Sequence, residues 1–216
     1  IERVARAFNG DTTGVRGDMR AVIRAVLLDP EATAAPTSMA DFGKLRAPVV
    51  RYASILRQFG ANSADGFIAN LGFFLQGIAK QHPLSAPSVF NFYLPSHSPA
   101  GEIAGAGLVA PEFQITTSNS IVGVSNIVDF VILADYVTDA PEPFEQVSLD
   151  FQEYIDIGAD VDALLDRLDI VLTAGTMDSA TRLAIENTVS NLDDLNLRVR
   201  IAIYMILLSS DYAVRQ

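Results

Sequence analysis

The stretch LNLRVRIAIYMILLS, Leu195 to Ser209, decides the fold. Leu197, Val199, Ile201, Ile203, Met205, Ile206 and Leu207 leave almost no polar side on a helix. A helix that is apolar nearly all round belongs in the middle of a bundle. The segments upstream supply its neighbours. Asp160 can cap a helix whose Val161, Leu164, Leu165, Leu168 and Leu172 lie on one side, with Gly175 as its end. A further helix over about 178–191 carries Leu183, Ile185 and Val189, and a shorter segment spans about 151–157.

The first half of the chain shows the same pattern less regularly. Ile1, Val4, Ala5 and Phe8 follow an i, i+3, i+4, i+7 stripe. After a glycine-rich turn at 9–17, Asp18 stands at the start of a helix with the stripe Val22, Ile23, Val26 and Leu27, which Asp29-Pro30 stops. Residues 31–41 read as loop. A third helix over about 43–59 has Pro48 in its first turn, Gly60 at its exit and an inner face of Leu45, Val49, Tyr52, Ala53, Leu56 and Phe59. A fourth, over about 65–79, groups Phe67, Leu71, Phe74, Leu75 and Ile78. Helix resumes at Pro111 and continues in one or two pieces to about 137, and 139–146 is a second loop. No strand is predicted. The expectation is an all-α fold: an irregular bundle of about eight helices in one domain over 1–216, crossed by one long ordered Pro/Gly-rich loop at about 80–111.

Half of the 216 residues are apolar, enough for one buried core, which excludes a disulfide-stapled miniprotein or a disordered tail. Lys and Arg number 15 against 26 Asp and Glu, a formal charge of -11 that repels nucleic-acid phosphates and anionic headgroups. Nucleic acid is therefore not an expected partner. With no cysteine there is neither a disulfide nor a thiolate. The strongest uncharged apolar run, Gly66 to Ala79, has 14 residues, where about 20 are needed to span a membrane. No transmembrane segment is expected.

Several motifs dissolve on inspection. Gly105-Ala-Gly107-Leu-Val-Ala110 has the spacing of a dinucleotide-binding turn, but nothing before it reads as the β-strand that turn must follow. Gly123-Val-Ser125 lacks the second glycine of a nucleophile elbow. Two histidines without cysteine make no ordinary zinc site, and Arg16-Gly17-Asp18 is explained as a turn into a capped helix. No cofactor is expected. A weak metal candidate is the set Asp162, Asp166 and Asp169, whose helical spacing could gather calcium. Hard cations take six to eight oxygens, usually from a loop with a turn glycine, and a solvated helix face explains these aspartates better.

The long segment Lys80 to Pro111 is the stronger candidate. It holds five of the ten prolines and has neither a helical nor an alternating period. Loops of this length, when ordered, are usually functional. His82, Tyr93, His97, Glu102 and Glu112 are its candidate catalytic residues: an imidazole beside a carboxylate can act as general base, and Tyr93 could donate a proton or hold a ligand. The competing reading is structural. Phe90, Phe92 and Tyr93 would staple the loop onto the helices, while His82 and Asn91 satisfy backbone groups that the turns leave open.

The run Pro87-Ser88-Val89-Phe90-Asn91-Phe92-Tyr93-Leu94-Pro95, followed by Gly107-Leu108-Val109-Ala110-Pro111-Glu112-Phe113-Gln114, resembles the C-terminal half of a bacterial family catalogued as domain of unknown function 1800. Gly17-Asp18-Met19-Arg20-Ala21-Val22, Leu28-Asp29-Pro30-Glu31-Ala32, Gly43-Lys44-Leu45-Arg46-Ala47-Pro48-Val49-Val50-Arg51 and Ser209-Ser210-Asp211-Tyr212-Ala213-Val214 resemble family segments in family order. The ending Val214-Arg215-Gln216 departs from the Val-Gln-basic ending common there. The resemblance implies a mostly helical protein, often exported, typically about twice this length, with no established reaction to carry over. On that basis the chain is expected to be the C-terminal part of a longer one, periplasmic or extracellular. It would be a noncatalytic helical module acting in assembly or partner binding at the cell envelope, with the missing N-terminal half among its protein partners. The alternatives are a hydrolase-type enzyme with its site in the 80–114 loop and, more weakly, a calcium-binding module.

Overall fold

Helix α11 (Leu195–Leu208) is the axis about which the larger part of the protein is built. The computed structural model describes residues 1–11, 13–33, 43–64, 66–68, 73–134 and 147–215, without the side chains of Phe73 and Phe74. These fall into two compact units, Ile1–Phe42 and Gly43–Gln216. The described chain is mostly helical, with one small two-stranded ribbon.

In the larger unit, Asp194 caps α11 by accepting from the amides of Asn196 and Leu197 at 2.8 and 3.2 Å. The helix packs against α7 (Ser118–Ile132), α8 (Gln152–Ile157), α9 (Val161–Leu168), α10 (Ser179–Val189) and α12 (Ser210–Ala213). Val199, Ala202, Ile203, Ile206 and Leu207 are buried, as an apolar central helix requires. Its two arginines reach outward to cap neighbours: Arg198 donates to the carbonyls of Leu192 and Gly158, and Arg200 donates to Ile132 O while lying over the Phe151 ring at 4.7 Å. Asp160 caps α9 as its sequence position predicts, accepting from Ala163 N at 3.1 Å. A π-helical turn, Asp169–Thr173, carries the chain on until Ala174 and Gly175, both at positive φ, end it.

Helix α4 (Pro48–Gln58) starts with Pro48 at its first position, and Gly60, at φ +55°, lets the chain leave. Its buried face is Tyr52, Ile55 and Leu56, with Phe59 following and packed on Phe151 and Tyr154 at centroid distances of 5.1 and 5.7 Å. Between Phe73 and Ala79 the described helix is only α5 (Phe73–Gly77); Leu75 and Ala79 are buried, whereas Phe67 is 75% exposed. Leu71 lies outside the described residues, as does the loop predicted at 139–146.

The absence of strands is corrected. Lys44–Leu45 (β1) pairs antiparallel with Val214–Arg215 (β2), and Arg46 N continues the ladder to Ala213 O at 2.8 Å. Two residues a side are too few to show period-two alternation, which is why the sequence hid them.

The smaller unit holds α1 (Glu2–Asn9), α2 (Met19–Leu27) and α3 (Pro30–Thr33). Asp18 caps α2 through the amides of Arg20 and Ala21 at 3.0 and 3.2 Å. Here the predicted inner faces are corrected: Ile1, Phe8, Ile23, Val26 and Leu27 are exposed, Ala7 is buried, and Ala21, Val22 and Ala25 are half-buried. Small side chains let two short helices approach closely. Arg3 forks onto Asp29, both bonds at 2.5 Å, and holds that carboxyl down to about 2.

Candidate functional site

The segment from Lys80 to Pro111 is held by hydrogen bonds at intervals rather than by helix. Gln81 is its inner anchor. Buried at 3% exposure, its Oε1 accepts from Val49 N at 3.0 Å. Val49 is the second residue of α4, whose first amides have no partner within the helix, so Gln81 caps α4 from outside it. Farther along, Ser88 and Asn91 form an isolated bridge, with Asn91 at φ +69°, and Leu94 N donates to Gln114 Oε1 at 2.7 Å. Ser98 Oγ donates to Leu108 O at 2.8 Å, and Ala110 N to His97 O at 2.9 Å. One short helix, α6 (Glu102–Gly105), interrupts the segment.

Two of the five candidate catalytic residues influence one another electrostatically. Tyr93 is half-buried within electrostatic reach of Glu112, and burial first, then the Glu112 carboxylate, pushes its phenol up; Lys44 and a hydrogen bond with Gln81 oppose that shift. Glu112 is 3% exposed and pairs with Lys44 Nζ at 3.1 Å. The other three stand elsewhere in the hydrogen-bond pattern. His82 Nδ1 is 2.7 Å from Ser85 Oγ, a side chain three residues on, where the structural reading expects a backbone group. His97 enters the loop's bonding through its backbone, and Glu102 is the exposed first residue of α6. No imidazole is drawn into the Tyr93–Glu112–Lys44–Gln81 group by any described contact.

Beside this group lies a cavity of about 280 Å³, whose walls include Leu45, Arg51, Glu112, Phe113, Ser120 and Ser209. Two of its hydroxyls are committed to helix ends. Ser120 Oγ donates to Ile115 O at 2.7 Å and accepts from Thr117 N in a capping box; Ser209 Oγ donates to Ile206 O at 2.7 Å and accepts from Tyr212 N. A nucleophilic serine needs a base within hydrogen-bond reach; these two serines have backbone partners instead, while Ser210 Oγ, also in the wall, is 3.4 Å from Asp211 Oδ1. The arrangement suits binding: an apolar floor, one buried carboxylate and two guanidiniums, Arg46 and Arg51.

The aspartates proposed for calcium do not gather. Asp162 and Asp166 each pair with Arg182, at 3.1 and 2.8 Å. Asp169 turns inward, accepting from Thr173 Oγ1 and, at 2.9 Å, from Met177 N. No group of three or more His, Cys, Asp or Glu among the described residues could hold a metal ion. Gly105 lies at the end of α6 and Gly107, at φ +71°, in a turn, not after a strand. Gly123 is inside α7, where a Cβ would come within 2.6 Å of Ile78 O, so close packing accounts for it.

Sequence reasoning missed Lys44, Arg46 and Arg51, and gave no role to Gln81 and Gln114. Single polar residues far apart in the chain carry no local signal; only the fold brings them together. Among the described residues no helix is long and apolar enough to cross a membrane. A family described as "Protein of unknown function (DUF1800)" has a model that matches residues 1–214. No curated protein and no solved structure matches the chain.

Proposed function

We propose, since the chain belongs to the DUF1800 family of proteins of unknown function, that it is a noncatalytic helical module of an exported bacterial protein, acting in assembly or partner binding at the cell envelope. The supporting observation is a hydrogen-bonded loop that presents bare apolar side chains: Leu84 at 107% exposure, Val89 at 95% and Phe90 at 57%. Apolar groups held out to water by a fixed backbone mark a protein-interaction surface. With a formal charge of -11, the complementary partner is a protein with an apolar patch and a basic rim. Export and bacterial origin rest on the family resemblance. The test is in-cell crosslinking through Val89 in the native host, comparing wild type with Val89→Glu and Phe90→Glu at equal melting temperature. Loss of one defined crosslinked protein in both variants supports the proposal; an unchanged crosslinking pattern refutes it.

The proximity of Tyr93 and Glu112 beside a cavity favours a second reading, a hydrolase-type site in the 80–114 loop. Ester hydrolysis by the wild-type chain that disappears in both Tyr93→Phe and Glu112→Gln would establish that reading and overturn the first.

A further inference from the structure

A second cavity, of about 380 Å³, lies on the α4 face that carries Val50, Ser54 and Gln58. Arg46 and Arg215 reach it from the β1–β2 ribbon, and Leu172 walls it from the π-helical turn. Among the described residues no acidic one lines it. In a chain with 26 carboxylates and 15 Lys and Arg, neither guanidinium pairs with a carboxylate among the described residues. Arg46 is fixed: its guanidinium lies over the Tyr212 ring at 4.5 Å, and Arg51 stands within electrostatic reach of it. Its Nε is the one buried side-chain polar atom without a hydrogen-bond partner among those described. A buried donor left open is costly, and native structures seldom leave one without water or a ligand to accept from it.

Cavity size, sign and shape together select the ligand. The volume lies in the range of small-molecule sites. The guanidinium fork matches the two oxygens of a planar anion. The apolar wall of Val50, Val171 and Leu172 leaves a place for an apolar body, which a compact phosphate does not have. We propose that this cavity binds a ligand bearing a carboxylate on a small aliphatic group, with Arg46 and Arg215 holding the carboxylate and Ser54 and Gln58 beside it. No residue of the 80–111 loop lines this cavity, so the site stands or falls separately from the loop surface.

The chemistry is shared by a free short-chain acid and by the C-terminus of a peptide. Calorimetric titration of the whole chain with 3-methylbutanoate, with the tripeptide Gly-Leu-Val, with the same tripeptide as its C-terminal amide, and with inorganic phosphate separates them. Binding of 3-methylbutanoate as tight as the tripeptide assigns the free acid; tripeptide binding at least about tenfold tighter assigns the peptide terminus. In either case the amide binds at least about tenfold more weakly than the free-acid tripeptide. Arg215→Gln, at an exposed position that leaves Arg46 stacked on Tyr212, weakens the carboxylate probe about tenfold or more without lowering the melting temperature; Arg46→Gln does the same if the chain stays folded. Equal affinity for acid and amide, binding of phosphate alone, no heat from any probe up to about 10 mM, or an Arg215→Gln chain that binds like wild type overturns the proposal.

Discussion

Replacing Arg198 by methionine tests whether the central helix stabilises the larger unit through its polar residues as well as its apolar ones. Arg198 Nε and Nη2 donate to Leu192 O at 3.0 and 2.6 Å, and Nη1 donates to Gly158 O at 2.8 Å and more weakly to Ala159 O at 3.4 Å. One side chain on α11 thus closes the carbonyl ends of the segments that follow α10 and α8. Methionine keeps the stem and its packing but removes every donor. Two well-bonded acceptors lose a charged partner, each worth about 1.5–3 kcal/mol when intact, and because the site is half-buried and water can replace part of this, the net loss is about 2–4 kcal/mol. At about 2–4 °C per kcal/mol for a domain of this size, the thermal midpoint should fall by about 5–15 °C. Lysine, which keeps the charge but not the fork, should fall between. Arg167→Ala is the control: its bond to Glu153 at 2.6 Å joins two largely exposed side chains and is worth at most about 1 kcal/mol. Differential scanning calorimetry on the purified chain reads all three. An Arg198→Met midpoint equal to that of the Arg167→Ala control would refute the assigned role.

Gly123→Ala should destabilise despite the better helix propensity of alanine, because its Cβ would lie 2.6 Å from Ile78 O and 2.8 Å from Ile78 Cγ2. Overpacking of this kind costs about 1–3 kcal/mol against about 1 kcal/mol gained, and a melting temperature at or above wild type would show that α7 does not pack there as described. Asp29, held at about 2 by Arg3, lies below the ordinary carboxylate value. It therefore stabilises the smaller unit fully above about pH 4 and loses that contribution as pH falls through 2. The carboxyl carbon resonance of Asp29 should titrate near 2 in wild type and near the ordinary value in Arg3→Met; equal midpoints would remove the bidentate pair from the account.

What the sequence disclosed was local. The caps at Asp18 and Asp160, Pro48 at a helix start, Gly60 at a helix exit and the apolar girth of 195–208 are each decided within one or two turns of chain, where backbone geometry and periodicity act directly. Faces were legible where the rest of the chain supplies a core to cover them, as on the eight-residue α9, whose Leu164, Leu165 and Leu168 are buried as their spacing predicts. Helix α4 buries Tyr52, Leu56 and Phe59 as its spacing predicts, whereas α2, nine residues long, leaves Ile23, Val26 and Leu27 exposed and turns Ala21, Val22 and Ala25 toward shelter. The candidate site was half legible for the same reason. Tyr93 and Glu112 belong to one stretch of chain and were named together, but the partners that define their chemistry come from elsewhere: Lys44 from a two-residue strand, and Gln81 through its bond to the start of α4. Arg46 is the extreme case. Nothing in its neighbours along the chain marks it, yet pairing with Ala213 and stacking on Tyr212 place its guanidinium where a buried Nε faces no acceptor. A lone arginine in sequence is a surface charge by default; it becomes a recognition element only when the fold removes its water and supplies no carboxylate in return, a condition that can be read from coordinates alone.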